Sequence, residues 1–139
     1  MKSGQKGTMF GKARLRIGVI MLLMIVLAGA ATTVLAGSTW FYVNVPKFGR
    51  CATTSITIKS TANQQWVFSN IRTGGDKVMR FRPLKNGSAI GYFHDGKTGS
   101  WVAGYYTQHQ NPGARIYGQI CNKWWQPVNV EVSGRFDSH

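Results

Sequence analysis

Acid is what this sequence has least of. Asp76, Asp95, Glu131 and Asp137 are its only carboxylates in 139 residues, and Asp95, Glu131 and Asp137 fall in different segments. Acid–base chemistry by a carboxylate pair therefore has almost nothing to work with. Cysteine is nearly as scarce, with Cys51 and Cys121 alone. The three histidines stand at no ligand-like spacing, so the chain is expected to hold neither a metal nor a cofactor. Past residue 36 there is no convincing helical periodicity, internal repeat, low-complexity tract or linker. No serine sits in a nucleophile-elbow context. The residue set is that of a non-enzymatic protein.

Charge of one sign is abundant. Lys2, Lys6, Lys12, Arg14 and Arg16 open the chain without an acid among them, and Ile17–Ala36 then carries no charge at all. Small residues gather behind the apolar stretch and end in Val34-Leu35-Ala36 before Gly37. A positive start, an apolar centre and small residues at the −3 and −1 positions make residues 1–36 read as a secretory signal peptide cut after Ala36. The alternative is an uncleaved anchor helix with the C-terminus outside. Either way, residues 37–139 form one domain beyond the cytoplasm. Five of the 17 Lys and Arg leave with the leader, and twelve then face four acids, a charge of +8. Such a surface, with the aromatic residues, points to an anionic cell-wall polymer, a membrane surface or carbohydrate as partner, with no specific nucleic acid implied. Plain solubility of a secreted protein is the other explanation of the charge.

In an exported domain a lone cysteine pair reads as a disulfide, Cys51 to Cys121. Closing a loop of about 70 residues would stabilise the fold by roughly 4 kcal/mol.

The rest of the chain alternates short β-branched or aromatic runs with turns. Trp40–Val45 puts Phe41, Val43 and Val45 on one side. Thr53–Ser60 sets Ile56 and Ile58 opposite Ser55, Thr57 and Lys59. Gln65–Ile71 carries Trp66 and Phe68 before Gly74-Gly75-Asp76. Lys77–Arg82 sets Met79 and Phe81 against Val78, Arg80 and Arg82, and is expected to stop at Pro83. Asn86-Gly87 is a strong hairpin signal. Ala89–His94, Trp101–Gln108, Ala114–Cys121 and Val128–Ser133 complete the set. About eight short strands predict an all-β fold, an antiparallel sandwich or barrel. Trp66, Phe68, Phe81 and either Tyr105 or Tyr106 are the expected core aromatics.

Gly91-Tyr-Phe-His-Asp-Gly96-Lys97-Thr98 formally matches a phosphate-binding loop, which needs a helix directly behind it. Trp101-Val-Ala-Gly-Tyr-Tyr reads as a strand instead, so the match is assigned to a turn. His94-Asp95 beside Lys97 and Ser100 holds triad residue types, but neighbours on a strand point to opposite faces. Asn86-Gly87-Ser88 is also a glycosylation sequon, and the hairpin accounts for it.

Two candidate binding features remain. Arg80 and Arg82 share a strand face, with Arg72 and Lys77 flanking the preceding turn, a compact positive patch suited to phosphate or carboxylate. The competing reading is an ordinary solvated strand face. Trp40, Trp101, Trp124 and Trp125 sit at run ends, where exposed rings could stack on sugars or enter a membrane interface. Trp124-Trp125, between Lys123 and Pro127, is the sharpest cluster; packing over the disulfide is its alternative.

The run Val130-Glu131-Val132-Ser133-Gly134-Arg135-Phe136-Asp137, after Gly118-Gln119-Ile120, resembles the tails of small secreted proteins of Gram-positive bacteria. That resemblance implies export and a β-sandwich, with no activity attached. The exported leader followed by a Gly-, Trp- and Tyr-rich β domain also resembles lactococcin-type bacteriocins. No functional residue carries over from either. The leading expectation is a secreted, non-enzymatic β-sandwich binding an anionic or carbohydrate surface of the cell envelope. A secreted bacteriocin-like toxin acting on neighbouring cells is the alternative, and the oligomeric state is left open.

Overall fold

A computed structural model describes residues 37–139; the expected leader or anchor, residues 1–36, lies outside the described residues. Nine strands are present among them: β1 Ser38–Val45, β2 Cys51–Ile58, β3 Gln65–Thr73, β4 Met79–Lys85, β5 Ser88–Ala89, β6 His94–Gly96, β7 Val102–Tyr105, β8 Arg115–Cys121 and β9 Val130–Asp137. A single 3-10 turn, Gly74–Asp76, joins β3 to β4. All pairings are antiparallel. One sheet has the order β1-β9-β3-β7; the other runs β2-β8-β4-β5, with β6 beside β4. The expected all-β, sandwich-like fold is what forms.

Alternation explains most of it. Phe41 and Val45 on β1 face inward, and Val130, Val132 and Phe136 do the same on β9. Trp66, Phe68 and Ile71 from β3 meet Met79 and Phe81 from β4 across the gap. Phe68 is the centre: its ring lies 4.5 Å from Phe136, 5.0 Å from Phe81, and 5.9 Å from both Phe41 and Trp66. Edge-on and tilted aromatic pairs of this kind add to what area burial alone supplies. Gly118 is the bare patch on β8 beneath that centre, since a Cβ there would stand 2.6 Å from Phe68 Cζ.

Three local expectations need correction. First, β4 does not stop at Pro83 but continues to Lys85. Its partner changes at that point: β6 pairs with Met79–Phe81 and β5 with Leu84–Lys85. The Pro83 carbonyl accepts from Ile90 N on that edge. The amide hydrogen that proline lacks would point the same way, into the break, where no ladder bond is lost. Asn86-Gly87 then makes the expected two-residue hairpin, with φ of 50° and 77°. Second, the Ala89–His94 run is not one strand but supplies the ends of β5 and β6, which raises the count from eight to nine.

Third, β2 reverses its faces. A bulge between Thr53 and Ile56 shifts its register against β8. Thr54, Thr57 and, just past the strand, Lys59 become the buried residues, while Ile56 and Ile58 are only half-buried. Each buried polar group finds a partner: Thr57 Oγ1 donates to Ile116 O at 3.1 Å, and Gly118 N donates to Thr54 Oγ1 at 2.9 Å. Lys59 Nζ donates to the carbonyls of Asn63 and His139.

Tyr106, not Tyr105, is the core tyrosine. Its hydroxyl donates to Ser138 O at 2.9 Å. Burial, then the charge of Asp137, holds the phenol well above the usual tyrosine range. Because the folded pKa is the higher one, this contribution to stability is complete below the ordinary value near 10 and is lost as pH rises beyond it. Lys59, 5.4 Å from the Tyr106 ring, works the other way. Burial lowers its pKa, so its share of stability grows as pH rises towards the ordinary lysine value. Urea unfolding across pH 8–11 is expected to show stability falling above about pH 10. Tyr106→Phe should flatten that fall; an unchanged slope would remove Tyr106 as its source.

Candidate functional site

The outer faces of the two sheets carry the chemistry. On β4, Arg80 and Arg82 project away from the core. Their register partners on β8 are Cys121 and Gln119. Both stack on Phe93, in the stretch linking β5 and β6. The Arg80 and Arg82 guanidinium carbons are 4.7 and 4.1 Å from the centre of its ring. Arg82 Nε donates to Gln119 Oε1 at 2.6 Å, and Arg80 reaches Asn122 O at 3.4 Å. The Arg80 Nε is buried without a partner. Burial, then the neighbouring Arg80 charge, lowers the Arg82 pKa; a guanidinium nonetheless stays charged.

The nearest acid is already taken. Asp95 is the register neighbour of Arg80 on β6, yet its carboxylate pairs with Lys123 at 2.5 Å. Lys123 in turn lies 5.7 Å from the Trp125 ring. Trp125 and Trp124 meet edge to face at 5.5 Å. This turn is tied down by backbone: Gly49 N donates to Lys123 O and Phe48 N to Gln126 O. Gly49 suits this turn, since its φ of 72° and the 3.3 Å approach of its absent Cβ to Trp124 Cα both disfavour a side chain. A strip of Arg82, Phe93, Arg80, Lys123, Trp125 and Trp124 results.

The predicted residues are thus partly reunited. Arg80, Arg82, Trp124 and Trp125 converge on one side of the molecule. Arg72 does not join them; it is exposed on β3, in the other sheet. Lys77 is exposed one residue before Val78, whose carbonyl accepts from Gln126 Nε2 at the base of the tryptophan turn. Trp40, Trp101, Trp124 and Trp125 are 67%, 74%, 72% and 58% exposed, whereas Trp66 is fully buried. The tandem pair stands in solvent next to the disulfide instead of packing over it.

The opposite face holds a second feature that the sequence reading did not assemble. Trp40 and Tyr42 alternate outward along β1, and a cleft of about 530 Å³ beside Trp40 is lined by Asn70, Arg72, Thr98 and Ser133. A bulge between Ser69 and Arg72 opens it, with Asn70 at φ 52°. Glu131 beside Tyr42 raises the phenol's pKa. The period-two spacing of Trp40 and Tyr42 was the available signal.

The Gly91–Thr98 segment is β6 and a turn into β7, with no helix behind it. Thr73 N donates to Thr98 Oγ1, and Lys97 N to Ser100 Oγ. His94 packs edge-on to Trp66 at 5.3 Å. Its neighbour Asp95 is committed to Lys123. Among the described residues no group of three His, Cys, Asp or Glu is placed to hold a metal ion.

Cys51 and Cys121 form the expected disulfide, directly opposite one another on β2 and β8. The chain is thus a disulfide-tied antiparallel β-sandwich that displays cations and aromatic rings on both outer faces. No protein-family model, curated protein or solved structure matches it.

Proposed function

We propose that this is a secreted, non-enzymatic protein that binds an anionic or carbohydrate surface of the cell envelope. The observation that carries the reading is uncompensated charge beside exposed indoles. Of the Lys and Arg among the described residues, only Lys123 has an Asp or Glu carboxylate within 4.0 Å. Four tryptophans stand in solvent beside such groups or at the ends of the same sheets. An indole face stacks on sugar rings, and a free guanidinium takes phosphate or carboxylate. The disulfide fits an oxidising compartment, in keeping with export.

Retention on purified cell wall across a salt series tests this. Binding should be strong at low ionic strength and weaken steeply as salt shortens the screening length. Absent or salt-insensitive retention would sink the electrostatic part. A toxin-like role is favoured by one detail: Phe48 also stands exposed at the end that carries Trp124 and Trp125. Growth inhibition of neighbouring cells by the purified protein, without wall retention, would put that role first.

A further inference from the structure

We propose that Arg80 and Arg82, held around Phe93, form a phosphate-group site whose ligand is the phosphodiester backbone of an anionic polyol or glycan polymer. This rests on the envelope-binding reading and names the ligand chemistry of one face.

Two like charges are held together here with nothing to neutralise them. Neither guanidinium has a carboxylate within 4.0 Å among the described residues. The one acid in register, Asp95, is engaged by Lys123. Both side chains are nevertheless fixed: Phe93 supplies a ring for each to stack on, Gln119 orients Arg82, and Asn122 O receives Arg80. Each guanidinium has five N–H donors, and these contacts use few of them. Arg80 Nε is itself buried without a partner, so the donors left for an anion are the terminal N–H groups of the two forks. A fixed, cationic pair with unspent donors is built to receive an anion.

The geometry favours phosphate over carboxylate. A carboxylate holds its two oxygens in one plane, which one guanidinium fork satisfies, whereas a phosphodiester spreads two non-bridging and two bridging oxygens tetrahedrally, so forks arriving from different directions each find an acceptor. It also favours a chain over a single ion. Beyond Arg80 the strip continues through Lys123 to Trp125 and Trp124, so successive units of a repeating polymer meet further cations and rings. A bilayer fits less well. The exposed rings Phe48, Trp124 and Trp125 lie at the end of the sandwich, while the arginines lie on its polar face beside Gln119 and Asp95.

The test uses the full chain, expressed through an exporting host so that Cys51 and Cys121 can pair. Soluble poly(glycerol phosphate), polygalacturonate as a carboxylate polymer, and phosphatidylglycerol vesicles serve as probes in calorimetric titrations. The variant is Arg80→Lys with Arg82→Lys, which keeps both charges and removes both forks; an unchanged unfolding midpoint shows that it folds. The protein should bind poly(glycerol phosphate) more tightly than polygalacturonate. The variant should lose about tenfold or more in Kd for the phosphate polymer alone, as expected for lost charge-assisted hydrogen bonds. Equal binding of the two polymers, or a variant that binds as the parent does, overturns the proposal. Binding to vesicles without binding to soluble polymer overturns it in favour of a lipid headgroup. Wall retention that persists in the variant overturns this site while leaving envelope binding standing; no retention by the parent protein removes both.

Discussion

Trp66→Ala is expected to destabilise the domain by about 3–5 kcal/mol, whereas the same change at Trp40, Trp101, Trp124 or Trp125 should move stability by no more than about 0.5 kcal/mol. Trp66 is fully buried, and its Nε1 donates to Tyr105 O at 3.2 Å. Phe68 and His94 meet its ring edge-on, and Gly91 and Gly104 press against it so closely that a Cβ on either would stand under 3 Å from a ring atom. Those glycines leave a rigid, ring-shaped slot. Backbone cannot collapse into it when the indole is removed, so the cavity term adds to the lost transfer energy. A domain of this size has a total stability of only about 5–15 kcal/mol, so the loss is a large share of it. The four exposed indoles leave no cavity behind. Their removal should appear in wall retention, with Trp125→Ala weakening it most because Trp125 adjoins Lys123 and the arginine strip. Urea unfolding of the five variants checks the first half. If Trp66→Ala costs no more than Trp101→Ala, the core has been misassigned.

That contrast marks what could be read from residues alone. Tryptophans at the ends of runs were separable from the one inside a run, because β alternation assigns a face only to residues within a strand. The same rule placed Arg80 with Arg82, and Phe41 with Val45. It fails at bulges. One extra residue near Ser55 turns Thr57 and Lys59 inward, and one near Asn70 opens the cleft beside Trp40. No hydrophobic pattern marks the first. The second had a faint marker in Asn70, a residue type that tolerates positive φ.

The candidate site was legible only in pieces, for a related reason. That Arg80 faces Asp95, and that Lys123 reaches across to hold that acid, depends on which strands pair and on a turn folding back over β6. Neither follows from local sequence. Phe93 passed unnoticed because its run looked like one strand, when it is the stretch between two short ones. Arg72 looked like a neighbour of the arginine pair because only residues 74–78 separate β3 from β4. That stretch crosses from one sheet to the other, so short separation in sequence becomes opposite faces in space.

Removing the disulfide, with Cys51→Ser and Cys121→Ala, is expected to cost roughly 4 kcal/mol and to lower the unfolding midpoint by roughly 15–30 °C. The two residues are 70 apart in sequence, so the link removes much of the freedom of the unfolded chain. Serine suits position 51, which is exposed, and alanine suits position 121, which is fully buried and would punish an unpaired hydroxyl. The place of the bond adds a functional consequence. β2 is an edge strand with β8 as its only sheet neighbour, and the bond joins the two at the end that precedes the bulge. Just beyond it, Asn122 N donates to Arg50 O, and Gly49 N to Lys123 O. The segment that carries Trp124 and Trp125 is therefore laced to the start of β2 through the linked pair. Losing the bond should loosen that lacing before the sandwich unfolds. Wall retention by the variant should fall at temperatures where its near-ultraviolet circular dichroism is still native. Retention and unfolding that fall together would mean that the disulfide acts on the fold as a whole; a stability loss below about 1 kcal/mol would mean that the loop it closes is already held by the β2–β8 pairing.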